Sequence, residues 1–380
     1  MLASELHDRA TELERAGRLQ EALATYQAAS AANPASPFLH YNAGNILRRL
    51  GRFQDAIGAY DRAIELHPDF AIAHFMRAGC RLQLGDLVTG FRDYEWRKGC
   101  PGYDDIRYGL PRQWAGESLA GKRLFIYPEL YQGDLLQFGR YALLAEMAGA
   151  RVMMAAPLAM HALLQTMSPK LDLLPPDAAP DDYDYASALM SLPAAFGSSL
   201  ETVPRGIYLR ADPARVMRWR DRIGTDGLRI GVAWQGSAQA IDRSFPLAAL
   251  RPLAGVPGAR LISLQKGGGL EQLDGLPEGM TIDNLGEAFD PGPDLFVDTA
   301  AAMMSCDVFV TPDTSVAHLA GALGVRTWIA LPLLGDWRWL EWRSDTPWYP
   351  TATLFRQTAT GDWSGVFRSM AAALPDLNRH

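Results

Sequence analysis

The sequence predicts a helical repeat region followed by an α/β region that contains two parallel sheets. Small and aromatic residues recur with a period of about 34 residues at the start of the chain. A stretch rich in Gly, Pro, Tyr and Trp follows, and beyond it apolar runs of strand length alternate with helical spacing. The predicted boundaries are repeats over 1–98, a linker over 99–121, a first α/β half over 122–210 and a second over 211–380.

The repeat is clearest over residues 37–70. The small, aromatic and helix-ending positions of the tetratricopeptide pattern are occupied there by Gly44, Gly51, Ala56, Tyr60, Ala63 and Pro68. The same types occur one period earlier, and a third copy is degenerate because Arg97 stands at a small-residue position. Three helical hairpins are therefore expected, with Gly51 in the tight turn between two of the helices. Such an array usually holds a peptide or protein; the alternative is a scaffold or dimer contact.

Composition excludes several classes of protein. The 380 residues carry a net charge of −7 with no basic run, which argues against a nucleic-acid binder. No uncharged apolar stretch of about 18 residues exists, and the N-terminus is charged where a signal peptide is apolar. Cys80, Cys100 and Cys306 lack metal-ligand spacing. We expect a soluble cytoplasmic protein with reduced thiols.

The α/β elements follow from short apolar runs and helical periods. In the first half, strands are predicted at 124–127, 151–155 and 182–186, with helices at 135–147 and 158–167. In the second half, after a helix and turn over 210–227, strands are predicted at 228–234, 261–264, 307–310 and 327–331, with helices at 247–253, 294–305 and 315–323. A terminal helix can pack back on the first half. Two such halves place a ligand cleft at the carboxyl ends of their strands.

A helix entry after the apolar strand VFV is the first candidate site. The free N–H groups and positive dipole end of a helix bind phosphate without a cation. Thr314 and Ser315 add hydroxyl donors at this entry. Asp313 can accept from sugar hydroxyls, and His318 lies about one turn into the helix. The alternative is an ordinary N-cap with a histidine packed under the sheet.

Two loops after predicted strands form the second candidate. Gln235 and Ser237 lie in a glycine-containing turn, and Arg243 follows with a guanidinium that can fork onto a diphosphate. Gln265 and Lys266 begin a glycine-rich loop, where Lys266 can meet phosphate or the loop can carry a base. The alternatives are a surface arginine and a flexible hairpin loop.

The loop after the first strand of the α/β region is the third candidate. Asp134 stands at the start of a helix and can act as general base on an acceptor hydroxyl. Glu129, Tyr131, Gln132 and Gly133 precede it as acceptor-side residues. The alternative is again an N-cap.

Common catalytic motifs are absent from the sequence. It contains no Ser-His-Asp order, no HExxH and no P-loop lysine. The acidic residues 181–184 indicate a strand entrance rather than a metal site, because no histidine or second carboxylate cluster adjoins them. No metal or cofactor is expected.

The motifs together resemble a known family, the bacterial tetratricopeptide-repeat glycosyltransferases. Their catalytic region is related to the ADP-heptose:lipopolysaccharide heptosyltransferases. The resemblance covers about the full length, and its motifs occur in family order: GDLLQFGRYALLAEMAGARV, GVAWQGS, DRSFPL, SLQKG, TPDTSVAHLAGALGVRTWIALP, GDWRWLEWRSDTPWYPTATLFRQ and a final GDW.

The resemblance implies a GT-B architecture of two Rossmann-like domains. The family's catalytic base falls on Asp134 and its donor-phosphate cation on Arg243. Its Asp-Thr-x-x-x-His donor motif falls on Asp313, Thr314, Ser315 and His318. One departure concerns the first loop, where the family usually has Glu-Gln-Gly-Leu-Gly-Asp. Here Leu130 and Tyr131 replace part of it, which puts the acceptor or the activity in question.

The implied function is transfer of a sugar from a nucleotide-sugar donor to a hydroxyl acceptor, independent of metal and with inversion. The repeats would present a protein or peptide acceptor. Two alternatives stay open. The chain can be a degenerate, non-catalytic adaptor that binds a protein partner through its repeats. It can also be a transferase that acts on a carbohydrate acceptor and uses the repeats for assembly. The oligomeric state is not determined by the sequence.

Overall fold

The computed structural model describes residues 2–103, 105–129, 131–237 and 242–379. They form two compact units. The repeat unit takes its described residues from 1–109, 193–202 and 336–341, and the α/β unit from 110–192, 203–335 and 342–380.

The repeat unit contains six α-helices arranged as consecutive hairpins. They are α1 (Ala3–Arg15), α2 (Leu19–Ala32), α3 (Pro37–Arg49), α4 (Phe53–Leu66), α5 (Ala71–Gln83) and α6 (Leu87–Tyr94). Each helix packs on its chain neighbours, as expected for stacked hairpins, and α5 also packs on the 3-10 turn Trp337–Trp339 of the same unit. None of the helices in the described parts of either unit is long and apolar enough to cross a membrane.

Small residues determine how these hairpins pack. Gly17, Gly51 and Gly85 each lie between the two helices of a hairpin with φ of 74°, 74° and 88°, a backbone region that favours glycine. Gly44 on α3 is so close to α4 that a Cβ there would lie 2.6 Å from Cε1 of Tyr60. The predicted hairpins and turns are confirmed at these positions.

The third hairpin shows why its sequence departs from the pattern. Its second helix, α6, has 8 residues, whereas α2 and α4 have 14 each. The chain continues as a 3-10 turn from Glu95 to Gly99, in which the Arg97 side chain is 1% exposed. The guanidinium of Arg97 pairs with Glu95 at 2.7 Å and lies 5.0 Å from the ring centre of Tyr94. The arginine that replaces a small residue is therefore accommodated by ending the helix early.

The α/β unit contains two parallel sheets. In the first, four strands have the order β3-β2-β1-β4, and in the second, six strands have the order β10-β9-β8-β5-β6-β7. The strands are β1 (Arg123–Tyr127), β2 (Arg151–Ala155), β3 (Asp172–Leu174), β4 (Tyr185–Ala188), β5 (Leu228–Val232), β6 (Ala259–Ser263), β7 (Ile282–Asn284), β8 (Val308–Pro312), β9 (Thr327–Leu331) and β10 (Ala352–Arg356). Every described strand pair is parallel, which confirms the predicted fold class of helical repeats followed by two Rossmann-like sheets.

Helices connect these strands. They are α7 (Gln132–Phe138), α8 (Arg140–Met147), α9 (His161–Leu164), α10 (Leu192–Ala195), α11 (Pro213–Ile223), α12 (Arg251–Ala254), α13 (Val297–Met303), α14 (Ser315–Leu323) and α15 (Trp363–Ala373). The predicted bounds of β2, β9 and α14 are the observed ones. The single helix predicted over 135–147 is divided at Gly139, where a Cβ would lie 2.5 Å from the carbonyl oxygen of Leu135.

The second sheet has its own apolar core. Buried residues of β5, β6 and β8 pack there with Trp234, and Phe367 and Met370 of α15 belong to the same cluster. The terminal helix therefore packs on the second sheet, and not back on the first half as the sequence had suggested. The end of the predicted linker joins the first sheet, since Gln113 pairs with Ala186 in a parallel bridge.

Candidate functional site

The three candidate regions all follow carboxyl ends of strands in the α/β unit. The loop with Asp134 follows β1, which lies inside the first sheet. The loops with Gln235, Lys266 and Thr314 follow β5, β6 and β8, which are adjacent in the second sheet. Loops at the same edge of adjacent parallel strands lie side by side, which is where open α/β sheets bind ligands.

The first turns of α7 and α14 meet. A Cβ on Gly133 would lie 3.4 Å from Cδ2 of His318 and 3.6 Å from Oγ of Ser315. Asp134 is the next residue on α7 and is 7% exposed, and His318 is 4% exposed. The structure thus brings the loop after β1 in the first sheet against the helix entry of the second. A Cβ at 133 would be in van der Waals contact with both α14 residues, so the two helix starts are closely packed here.

Arg243 and Asp313 are paired with each other. Nη1 of Arg243 donates to Oδ2 of Asp313 at 2.9 Å. The carboxylate side chain is 1% exposed, whereas the arginine side chain is 39% exposed. Asp313 therefore serves as a buried anchor for the guanidinium, a use that the sequence interpretation as a sugar-hydroxyl acceptor did not include. The planar guanidinium keeps further N–H donors that this bond does not use.

Gln265 ties two loops together. Its Oε1 accepts from the backbone N–H groups of Trp234 and Gln235 at 2.9 and 3.1 Å. Its Nε2 donates to the carbonyl oxygens of Gln235 and Gly268, both at 2.8 Å. The amide is thus engaged on both sides by backbone. Ser237, in the same turn as Gln235, is exposed and is the last described residue before 242.

Lys266 holds a neighbouring loop. Its Nζ donates to the carbonyl oxygens of Phe289 and Asp290 at 2.8 and 2.7 Å. The Asp290 carboxylate in turn accepts from the backbone N–H of Asp298 and from Oγ1 of Thr299, both on α13. In the structure Lys266 therefore fixes the loop that enters α13.

The entry of α14 is open. Thr314 is the N-cap in extended conformation, and its side chain makes no capping hydrogen bond. Its Oγ1 lies 3.4 Å from Oγ1 of Thr311. Thr314 and Ser315 are both half-buried. A helix start that no side chain caps leaves backbone N–H groups for an anion.

The described part of the loop after β1 contains a residue tied to the protein by a hydrogen bond and two exposed residues. Oε2 of Glu129 accepts from the backbone N–H of Met190 at 2.8 Å, which ties the loop to the segment after β4. Tyr131 is 64% exposed and is the N-cap of α7, while Gln132 is exposed in the first turn. Leu130, the other residue that departs from the family pattern, lies outside the described residues.

Sequence reasoning missed a buried network behind the site. Nδ1 of His318 lies 3.0 Å from the hydroxyl of Tyr349. The guanidinium of Arg140, 2% exposed, lies 4.6 Å from the ring centres of both Tyr208 and Tyr349. It donates to the carbonyl oxygens of Gln137, Pro204 and Trp348 at 2.7, 2.9 and 2.7 Å. Burial raises the pKa of both tyrosines, so the phenols stay protonated around this cation.

One sequence signal points to that network. Asp134, Gln137 and Arg140 are polar residues three apart in an otherwise apolar stretch, and all three are buried. This spacing places them along one side of the α7–α8 region. Both amide atoms of Gln137 lack a hydrogen-bond partner in the described part of the chain. The tyrosines around Arg140, Tyr208 and Tyr349, could not be predicted as its neighbours, because they lie far along the chain.

Metal-ligating side chains and cysteines are two further kinds of reactive group among the residues that the structure describes. No group of three or more His, Cys, Asp or Glu side chains among them is placed to hold a metal ion. The three cysteines are free. Burial raises the pKa of the Cys80 and Cys306 thiols to about 12, so neither is a ready nucleophile near neutral pH.

The repeat unit matches a known family. Residues 7–63 and 41–94 match the tetratricopeptide repeat. This part of the chain consists of tetratricopeptide repeats. Among solved structures, the first tetratricopeptide domain of Spaghetti (RPAP3), bound to the HSP90 peptide SRMEEVD, is 24% identical. It covers 27% of this chain and 82% of its own, with a TM-score of 0.26.

Two further proteins are similar over a larger part of the chain. Protein FlbA of Caulobacter vibrioides is 27% identical over 333 residues, which are 80% of this chain and 55% of FlbA. The chain thus spans about half the length of that curated relative. The structure of E. coli ADP-heptose LPS heptosyltransferase II is 15% identical, covers 67% of this chain and 98% of its own, and has a TM-score of 0.48.

Proposed function

We propose that this chain is a glycosyltransferase that moves a sugar from a nucleotide-sugar donor to a hydroxyl acceptor. The contact between the first turns of α7 and α14 carries the proposal. It brings the segment with Asp134, from the first sheet, against Ser315 and His318, from the second. A carboxylate beside an uncapped helix entry combines a proton acceptor with an anion site, which are the two groups that sugar transfer requires.

On the donor side, the leaving nucleoside diphosphate gains negative charge as its bond to the sugar breaks. Arg243 and the open entry of α14 are the groups proposed to stabilise that charge. Asp313 supports this role because it holds one guanidinium nitrogen at 2.9 Å while the arginine side chain stays 39% exposed. A cation anchored in this way is oriented before the substrate arrives, which reduces the entropy lost on binding.

On the acceptor side, Asp134 is proposed to take the proton of the acceptor hydroxyl. The oxygen then forms a bond to the anomeric carbon of the sugar, while the bond from that carbon to the diphosphate oxygen breaks. The leaving group departs with the electron pair, and a single displacement inverts the anomeric centre. The buried position of Asp134 supports this role, because exclusion of water limits hydrolysis of the donor.

The repeats are proposed to hold a protein or peptide acceptor. An aromatic patch on the repeat unit supports this. Phe38 is 59% exposed, and its ring centre lies 5.3 Å from that of Phe70. Tyr41 and His67 also contact Phe70, at 5.3 and 5.5 Å between ring centres. Exposed aromatic clusters of this kind are typical of protein-binding surfaces.

A non-catalytic adaptor is the second candidate, and one observation favours it. Gln265 and Lys266 were expected to bind the nucleotide. Their polar groups instead form hydrogen bonds with backbone atoms of neighbouring loops. An adaptor would retain these structural hydrogen bonds even after it had lost the ability to bind a sugar donor. In that case the aromatic patch would be the functional surface.

Binding of nucleotide sugars separates the two candidates. The purified full chain is screened by thermal shift against a panel of nucleotide sugars, and hits are titrated by calorimetry. We expect at least one donor to bind, with affinity reduced about tenfold or more in Arg243→Gln and unchanged in Arg220→Gln, an exposed arginine of α11. Absence of binding by every nucleotide sugar would favour the adaptor.

A further inference from the structure

A second concave site lies on the α/β unit, in a cavity of about 410 Å³. One wall is α11, which presents Arg215, Arg218 and Arg222. The other wall is the loop from Ala288 to Asp294 with the first turn of α13. We call it the arginine pocket. Its volume falls in the range of cavities that bind small ligands.

The arginines are arranged by one buried carboxylate. Asp298 on α13 is 3% exposed and accepts from Nη1 of Arg215 at 2.7 Å and from Nη2 of Arg218 at 2.5 Å. Nε1 of the buried Trp219 donates to it at 2.8 Å. Burial alone would raise the pKa of Asp298, but the bonds from Trp219 and Arg215 outweigh it and the pKa is lowered. The carboxylate is therefore ionised at neutral pH.

The third arginine is oriented by other contacts. Nη2 of Arg222 donates to the carbonyl oxygen of Leu285 at 2.6 Å. Its guanidinium lies 5.2 Å from the ring centre of Trp219. Stacking and one hydrogen bond fix the plane of this group as the carboxylate fixes the other two.

Cationic donors exceed anionic acceptors in this pocket. Three guanidiniums face the two carboxylates of Asp294 and Asp298 in the lining. In the described part of the chain, each guanidinium gives one nitrogen to the protein, although each has five N–H donors. The side chains of Arg215 and Arg218 are 34% and 58% exposed, so their remaining donors are reachable from solvent.

We infer that the arginine pocket binds a small ligand with more than one oxyanion group, a phosphate or a carboxylate. Guanidinium forks match the geometry of both groups, and pre-oriented forks lose little entropy on binding. The pocket is separate from the strand-end residues assigned to the donor. Lys266 is not in the lining, but it binds the carbonyl oxygens of Phe289 and Asp290 in the same loop, so an occupant would order the loop that Lys266 also holds.

The test uses calorimetry with inorganic pyrophosphate and with citrate on the full chain. All the proteins compared carry the substitution Arg243→Gln, because it weakens the other proposed anion site. To this background we add Arg218→Gln, Arg222→Gln or the control Arg220→Gln, which removes an exposed arginine of the same helix outside the pocket. Thermal melts check that each variant is folded, as expected for these exposed side chains.

The background and the Arg220→Gln control should bind one pyrophosphate or citrate per chain. Arg218→Gln and Arg222→Gln should each weaken that binding about tenfold or more. The tighter of the two probes identifies phosphate or carboxylate as the preferred group. Equal binding in all variants, or no binding by either probe in the background, would overturn the inference. Neither result decides the proposed transfer reaction, which depends on Arg243 and Asp134.

Discussion

The repeat unit and the α/β unit are stabilised over different distances along the chain. In the repeat unit, the contacts that recur from hairpin to hairpin join neighbouring helices, as between Gly44 and Tyr60, although Phe91 also contacts Trp337 far along the chain. In the α/β unit, Arg140 donates to the carbonyl oxygen of Trp348, 208 residues further along. The first kind of contact recurs with the repeat and is visible in a sequence. The second depends on how the whole unit folds: the local sequence marks Arg140 by its spacing from Asp134 and Gln137, but it does not identify the distant partner Trp348.

The largest expected loss of stability tests the long-range contacts of the α/β unit. Arg140→Ala removes a buried cation and leaves three backbone carbonyls without its donors. We expect the free energy of unfolding to fall by about 4 kcal/mol and the melting temperature by on the order of 10 °C. Circular dichroism melts measure this.

Arg151→Ala is the control for that variant. Its side chain is 69% exposed and makes one surface ion pair with Asp172. We expect its melting temperature to stay within about 2 °C of wild type, since surface pairs contribute little. An equal fall in melting temperature in Arg140→Ala and Arg151→Ala would show that the buried long-range contacts contribute no more to stability than the surface contacts do.

The next largest change in stability tests the contacts between neighbouring helices of the repeat unit. Gly44→Ala places a methyl group 2.6 Å from Tyr60, so we expect a loss of about 2 kcal/mol. Gly58 lies exposed in α4 with nothing within 4 Å of a Cβ, so Gly58→Ala should stabilise by about 0.5–1 kcal/mol. Urea unfolding followed by circular dichroism compares them. Stabilisation by both alanines would show that the spacing of small residues does not determine the helix packing.

A smaller effect concerns pH. The lowered pKa of Asp298 means that its ionised network stabilises the fold above the ordinary carboxyl pKa near 4, and that this stability is lost as pH falls through the folded value. Asp298→Asn should cost about 1.5 kcal/mol at pH 7, and its gap to wild type should close toward pH 3. Melts from pH 3 to 8 check this, with the exposed Asp221→Asn as control. A gap of constant size would contradict the role of the charge.

Sequence patterns predicted the interior of each sheet well. The bounds of β2 and β9 are the observed ones, because strands covered on both faces read as continuous apolar runs. The strands that were missed, β3, β7 and β10, all lie at sheet edges. Edge strands are short or half-exposed and lack such a run, so local hydrophobicity does not reveal them.

The loops of the candidate site lie where the α/β pattern places them, but the contacts of their side chains were not predicted. Loops at the ends of β1, β5, β6 and β8 follow from the α/β pattern, and the structure brings Gly133 against His318. The partners of those side chains could not be predicted. The Arg243–Asp313 pair and the Lys266 contacts join residues from different strands' loops, whose distances only the folded sheet determines.

The most direct measurement compares transfer by wild type and Asp134→Asn with the donor that the binding screen identifies. Release of nucleoside diphosphate in the presence of acceptor is followed, together with donor affinity by calorimetry. We predict a loss of rate of about 10²–10⁴-fold, with donor affinity and melting temperature close to those of wild type. Transfer by Asp134→Asn at the wild-type rate would contradict the assignment of the site.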